Sequence, residues 1–105
     1  MTLGVRAGFI NLLGYISKRG LDTIAKIIPV YAPKGHGENN PSKYVQLVSS
    51  FTGYAPDMKI DNPQKLKNIG RAIVRVETGT EISNNDFERG YKLAEPRIQK
   101  YFMAI

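Results

Sequence analysis

Proline and glycine residues divide this chain into short segments, and this division restricts the folds that it can adopt. Between these breaks, apolar residues recur every three or four positions, which places them on one face of an α-helix. With 105 residues, the chain has the size of one domain. We therefore predict an all-α fold, a compact bundle of five to six short helices that forms a single domain over residues 1–105.

Capping residues and helix breakers set the expected helix boundaries. Asn40 and Asn62 each precede a proline, so that the asparagine caps a helix and the proline takes its first position. Ser83 is a further cap, and Pro96 is expected to kink the last helix or to start a sixth one over residues 97–103. The five main predicted helices cover residues 3–19, 23–32, 41–52, 63–78 and 84–95.

The composition limits the kinds of site and partner. The chain has no cysteine and one histidine, His36, so a thiolate metal site is excluded and a histidine-based zinc site is not expected. We expect no metal or other cofactor, and we expect His36, between two glycines in a polar loop, to be solvated. The formal net charge of +6 favours an anionic partner, which leaves nucleic acid, cell-wall polymers and anionic lipid open.

The N-terminal residues contain an apolar run that resembles a targeting signal only superficially. Arg6, Asn11 and several glycines interrupt the run, and no small-residue cleavage site follows it. No stretch of the chain reaches the roughly 18 apolar residues that a membrane span needs. The sequence therefore predicts a soluble protein with neither a signal peptide nor a membrane span.

One acidic residue, Glu77, breaks the pattern of the fourth helix. It lies four residues after Ile73, on the apolar stripe of a helical wheel rather than on the charged side. A carboxyl group packed against apolar groups at the negative end of a helix dipole resists ionisation. A glutamic acid that keeps its proton is what general acid catalysis of glycosidic bond cleavage requires. The structural alternative is that Glu77 emerges at the helix end or pairs with a basic residue such as Arg6.

The opposite side of the same helix is basic, with Lys65, Lys67, Arg71 and Arg75 on one broad face. These residues either contact phosphate groups or acidic wall polymer, or form an ordinary solvated surface. The solvated surface is the favoured interpretation. The positive charge alone still leaves a nucleic-acid-binding module open as an alternative function.

Four motifs in a fixed order resemble those of a known family. They are GVRA (4–7), TIAKIIPVYAP (23–33), GENNPSKYVQLVSSFTG (37–53) and IGRAIVRVETG (69–79). Together they resemble phage and prophage virion structural proteins of lysozyme-like character, over roughly residues 4–80. The segment AIVRVETG is also similar to the helix that contains the acid in soluble lytic transglycosylases. The resemblance implies a lysozyme-like helical subdomain directed at peptidoglycan.

The resemblance also assigns roles by position. Glu77 matches the glutamate of the family's last helix and is the candidate catalytic acid/base. The candidate contacts to the glycan come from two places. One is the family's acidic and asparagine-containing loop with the tyrosine that follows it, here Tyr44, and the other is Tyr31, which replaces the family's tryptophan. These substrate-binding candidates are Tyr31, Glu38, Asn39, Asn40 and Tyr44. For Tyr31, a role in the core is the equal alternative to stacking on a sugar ring. Glu38 is either a second carboxylate across from Glu77 or a residue of ordinary turn chemistry.

The resemblance implies peptidoglycan glycan strands or other virion proteins as partners, and a location in the virion, or in the bacterial host cytoplasm before assembly. Two functions follow from it: a virion structural protein that keeps the fold, or an active peptidoglycan hydrolase or lytic transglycosylase. Fuller family members begin with an asparagine- and glycine-rich segment that this chain lacks. We therefore expect the structural role, or a chain that is the C-terminal part of a longer lysozyme-like protein.

Overall fold

Five α-helices account for most of the chain in a computed structural model, which describes residues 2–31, 41–79 and 83–104. They are α1 (Thr2–Arg19), α2 (Ile24–Tyr31), α3 (Pro41–Thr52), α4 (Pro63–Thr78) and α5 (Asn84–Met103). Within the described residues, strand-like pairing is limited to one bridge between Thr23 and Lys59. The Cα radius of gyration is 12.7 Å, as expected for a compact fold of about 100 residues. The prediction of a compact all-α bundle is confirmed.

Both ends of α4 are fixed by local hydrogen bonds, as the sequence predicts. The Asn62 side chain accepts a hydrogen bond of 2.9 Å from the backbone N–H of Lys65. At the other end, Gly79 adopts a φ of 74°, and its N–H donates to the carbonyl of Arg75 at 2.9 Å. This left-handed conformation is cheap for glycine and costly for residues with a Cβ. The two caps fix the position of Glu77 in the last turn of the helix.

The sequence predicts that Pro96 either kinks the last helix or restarts it, and a restart does not occur, because α5 runs without interruption from Asn84 to Met103. Proline leaves one carbonyl of the preceding turn without its helical partner, here that of Lys92. Lys92 and Pro96 are both exposed, so water can hydrogen-bond to this carbonyl. Ala94 and Ile98, on the other side of the helix, are fully buried in the core. Core packing on both sides of the proline therefore keeps the helix in one piece.

The core is centred on Phe9 of α1, which packs against both α4 and α5. Its ring meets the rings of Phe87 and Tyr91 edge-to-face, with centroids 5.7 and 5.1 Å apart. On α4, a Cβ added at Gly70 would lie 2.4 Å from two ring atoms of Phe9. The absence of a side chain at position 70 therefore lets α4 approach α1 closely. These two helices form the walls of the cleft described below.

The connection between α3 and α4 fixes the start of α2. The backbone N–H of Ala25 donates to the carbonyl of Pro56 at 2.9 Å, and the N–H of Ile60 donates to the carbonyl of Asp22 at 2.7 Å. Thr23 caps α2, since its hydroxyl accepts a hydrogen bond of 3.1 Å from the N–H of Lys26. Among the described helices, none combines the length and the apolar character needed to cross a membrane.

Candidate functional site

A cleft of about 210 Å³ opens between α1 and α4, and Tyr31 at the end of α2 completes its wall. Small or apolar residues line most of it, including Gly4 and Gly8 of α1 and Ile73 of α4, while Glu77 lies at the rim. Pockets that enclose a whole drug-sized ligand are larger, about 300–1,000 Å³. A cleft of this size therefore suits one ring or side group of a longer ligand.

The Glu77 side chain is open to solvent and also lines the cleft. The sequence predicts a carboxyl group packed against apolar neighbours, whereas the structure places it at the exposed end of the apolar stripe. Within the described part of the chain, Glu77 forms no ion pair with Arg6 or another basic residue. Instead, its Oε2 accepts a hydrogen bond of 3.0 Å from the Tyr44 hydroxyl. The carboxylate is therefore held on one side and available to a ligand on the other.

Tyr44 supports this arrangement from inside the protein. It is only 2% exposed, so its ring belongs to the core and only its hydroxyl reaches the carboxylate. Burial, the negative charge of Glu77 and the hydrogen bond to Glu77 together raise the pKa of Tyr44 well above its usual range. The hydroxyl thus keeps its proton and remains a donor at any physiological pH. The family resemblance assigns Tyr44 to the ligand surface, but its observed contact is with Glu77.

Tyr31 belongs to the cleft wall and faces α1. Its ring is half-buried, and its pKa is raised by burial first and by the negative charge of Glu77 second. A Cβ added at Gly8 would lie 3.5 Å from the Tyr31 hydroxyl oxygen, which shows how closely the phenol approaches this helix. The structure therefore brings together Tyr31, Tyr44 and Glu77, three residues that the motifs assign from different segments.

The other predicted site residues cannot be placed in the same way. Glu38, Asn39 and Asn40 lie outside the described residues, and so does His36. No three acidic or histidine side chains converge as a metal site would require, as far as the described residues go. Sequence reasoning missed the glycines of α1 that line the cleft. Their spacing of four residues, Gly4 to Gly8, was the available signal, because it leaves part of one helix face without side chains.

The basic face of α4 is largely engaged by other parts of the same protein. Lys67 and Arg71 both pair with Glu88 of α5, at 2.9 and 3.5 Å. The Arg75 guanidinium lies 4.4 Å from the ring centroid of Phe51. The two ion pairs lower the positive potential that α4 would offer to a phosphate backbone, while the ring contact holds the Arg75 guanidinium against α3.

The fold and cleft define a small helical protein with a glutamate at the rim of a mainly apolar cleft. No protein-family model matches the chain. It is similar to Protein P5 of Pseudoalteromonas phage PM2, with 29% identity over 90 residues, which make up 85% of this chain and 54% of that protein. The chain thus spans about half the length of the curated relative that it matches. This similarity supports a relation to phage proteins.

Proposed function

We propose that the chain is a virion-associated protein of phage origin with lysozyme-like character, whose cleft binds the glycan strands of peptidoglycan. The similarity to a phage protein supports its origin. The observation that supports the site best is the hydrogen bond of 3.0 Å between Tyr44 and Glu77, beside Tyr31 at the same cleft. Three positions that the family motifs assign to glycan chemistry thus meet at one place, although they lie on three different helices.

The chemistry of the cleft suits a sugar. Sugar rings have apolar faces that pack on aromatic rings, and Tyr31 offers such a ring in the cleft wall. The open carboxylate of Glu77 accepts hydrogen bonds from hydroxyl or amide groups of a glycan. The glycines of α1 leave room beside both residues, and the small volume of the cleft fits one sugar unit of a longer strand.

Sedimentation with purified, insoluble peptidoglycan tests binding. We expect the wild-type chain to co-sediment and Tyr31→Ala to bind several-fold more weakly, since it removes the stacking surface. Tyr15→Ala is the matched control, because Tyr15 is also half-buried but does not line the cleft. Absence of wild-type binding, or equal binding by the Tyr31 and Tyr15 variants, would reject the proposed site.

A second candidate function is cleavage of the same glycan, favoured by the open carboxylate of Glu77. In its protonated form, Glu77 would donate the proton to the glycosidic oxygen as the carbon–oxygen bond breaks. The resulting carboxylate would then take a proton from the hydroxyl group that attacks the anomeric carbon. Where that hydroxyl belongs to the same sugar, neither a water nucleophile nor a second carboxylate is needed.

Mass spectrometry of soluble fragments released from peptidoglycan tests cleavage. If the chain is an enzyme, we expect fragments from the wild type and none from Glu77→Gln. Asp57→Asn is the control, since it removes one negative charge from an exposed position outside the cleft. Anhydro ends identify intramolecular attack, and reducing ends identify hydrolysis. Binding without any fragments would leave the structural role as the function.

A further inference from the structure

Helix α5 has an exposed face opposite the side that it buries. Its buried residues, Phe87, Gly90, Tyr91, Ala94 and Ile98, point toward the core. At 100° per residue, the opposite side of the helix presents a set of exposed residues, which we call the outer face of α5. Its cationic and apolar residues are Arg89, Lys92, Leu93, Pro96, Lys100 and Met103, and the uncharged Asn85 and Gln99 lie on the same side.

The outer face is basic and not neutralised. It contains Arg89, Lys92 and Lys100 and no acidic residue. None of the three pairs with an acidic side chain in the part of the chain that the structure describes. The cations of α4 behave differently, since Lys67 and Arg71 pair with Glu88. Positive charge is therefore available for an anionic partner on α5 rather than on α4.

The same face also exposes large apolar side chains. Leu93 is 50% and Met103 is 80% exposed, and they lie about 15 Å apart along the helix at 1.5 Å per residue. Phe51 is the other large hydrophobic residue that is exposed among the described ones, and the guanidinium of Arg75 lies over one face of its ring. The uncovered large apolar side chains and the unpaired cations thus coincide on one helix face.

We propose that the outer face of α5 binds the surface of an anionic lipid bilayer. The negative potential of anionic headgroups attracts lysine and arginine side chains. Leucine and methionine side chains beside them insert at the boundary between headgroups and acyl chains. A nucleic-acid backbone would attract the cations but would offer nothing to Leu93 and Met103. None of the residues described as lining the Glu77 cleft belongs to α5, so this surface is separate from the glycan site.

Co-sedimentation with lipid vesicles tests this proposal on the full chain. We expect binding to vesicles of phosphatidylglycerol mixed with phosphatidylcholine and little binding to phosphatidylcholine alone. The variant Arg89→Gln/Lys92→Gln/Lys100→Gln should bind roughly a hundredfold more weakly, at about fivefold per cation. The matched control is Lys18→Gln/Lys26→Gln/Lys59→Gln, which removes the same charge from exposed positions elsewhere and should keep most of the binding.

A second variant separates lipid from other polyanions. Leu93→Ser/Met103→Ser keeps every charge, so it should lose most vesicle binding while any binding to duplex DNA stays unchanged. Far-ultraviolet circular dichroism verifies that each variant is folded. Equal binding to anionic and neutral vesicles, equal losses in the two triple variants, or full vesicle binding by the serine variant would overturn the proposal.

Discussion

The hydroxyl of Tyr44 in α3 donates a hydrogen bond of 3.0 Å to the carboxylate of Glu77 in the last turn of α4. The two residues lie 33 positions apart in the sequence. The tyrosine is buried and the glutamate is exposed, so the bond joins the core to the rim of the cleft. The orientation of the candidate catalytic carboxylate therefore depends on how α3 packs against α4.

Removing this hydrogen bond should destabilise the protein moderately. Tyr44→Phe keeps the buried ring and loses only the hydroxyl, so we expect the free energy of unfolding to fall by about 1 kcal/mol. The loss stays small because water can hydrogen-bond to the exposed carboxylate. Urea unfolding measures it, and a double-mutant cycle with Glu77→Ala, which removes the acceptor, isolates the pair. Strictly additive losses in that cycle would show that the two side chains do not interact.

The contact between α1 and α4 depends on glycine at position 70. In Gly70→Ala, the new methyl group would overlap the buried ring of Phe9, and we expect a loss of roughly 1–3 kcal/mol in unfolding free energy. Gly14→Ala is the control, because a Cβ at that position of α1 meets nothing within 4 Å. It should stabilise the helix by roughly 0.5–1 kcal/mol. Equal effects of the two substitutions in thermal unfolding would contradict this account of the packing.

Stability should fall at alkaline pH. Burial raises the pKa of Tyr44, Tyr31 and Tyr91 above the ordinary value of 10.0. Below about pH 9 both the folded and the unfolded protein hold these protons, so the three tyrosines contribute fully to the free energy of unfolding. Above about pH 10 the unfolded chain releases protons that the folded state retains, which favours unfolding by up to about 1.4 kcal/mol per pH unit for each tyrosine.

Urea unfolding at a series of alkaline pH values measures this decline. Tyr44→Phe should make the decline less steep, because one of the three phenols with a raised pKa is then missing from both states. The same slope for the variant and the wild type would mean that Tyr44 titrates equally in the folded and unfolded chains.

The proline within α5 should be dispensable. Pro96→Ala restores a backbone donor for the carbonyl of Lys92 and removes a poor helix former from an exposed position, so we expect a gain of roughly 1–3 kcal/mol in unfolding free energy. Gln99→Ala, another exposed position of α5, should change the stability by less than about 0.5 kcal/mol. A loss of stability in Pro96→Ala would show that the proline has a structural role.

Helix boundaries were predictable where neighbouring residues decide them. Asn62 and Ser83 each bond to a backbone N–H three residues further on, and Gly79 closes α4 through its own N–H. These interactions depend on the local sequence, so the residue types alone indicate them. Pro96 shows the limit, because its effect on α5 depended on the burial of Ala94 and Ile98 against other helices.

The sequence by itself determined which residues can form helices and which face of each helix is apolar, because both depend on interactions within one or two turns. Only the tertiary structure decided that Tyr44 is buried, that its hydroxyl meets Glu77, and that this carboxylate opens toward a cleft instead of lying inside the core. These relationships depend on how closely α1, α3 and α4 approach one another. That distance is set by packing contacts between residues far apart in the chain, such as Phe9 and Gly70.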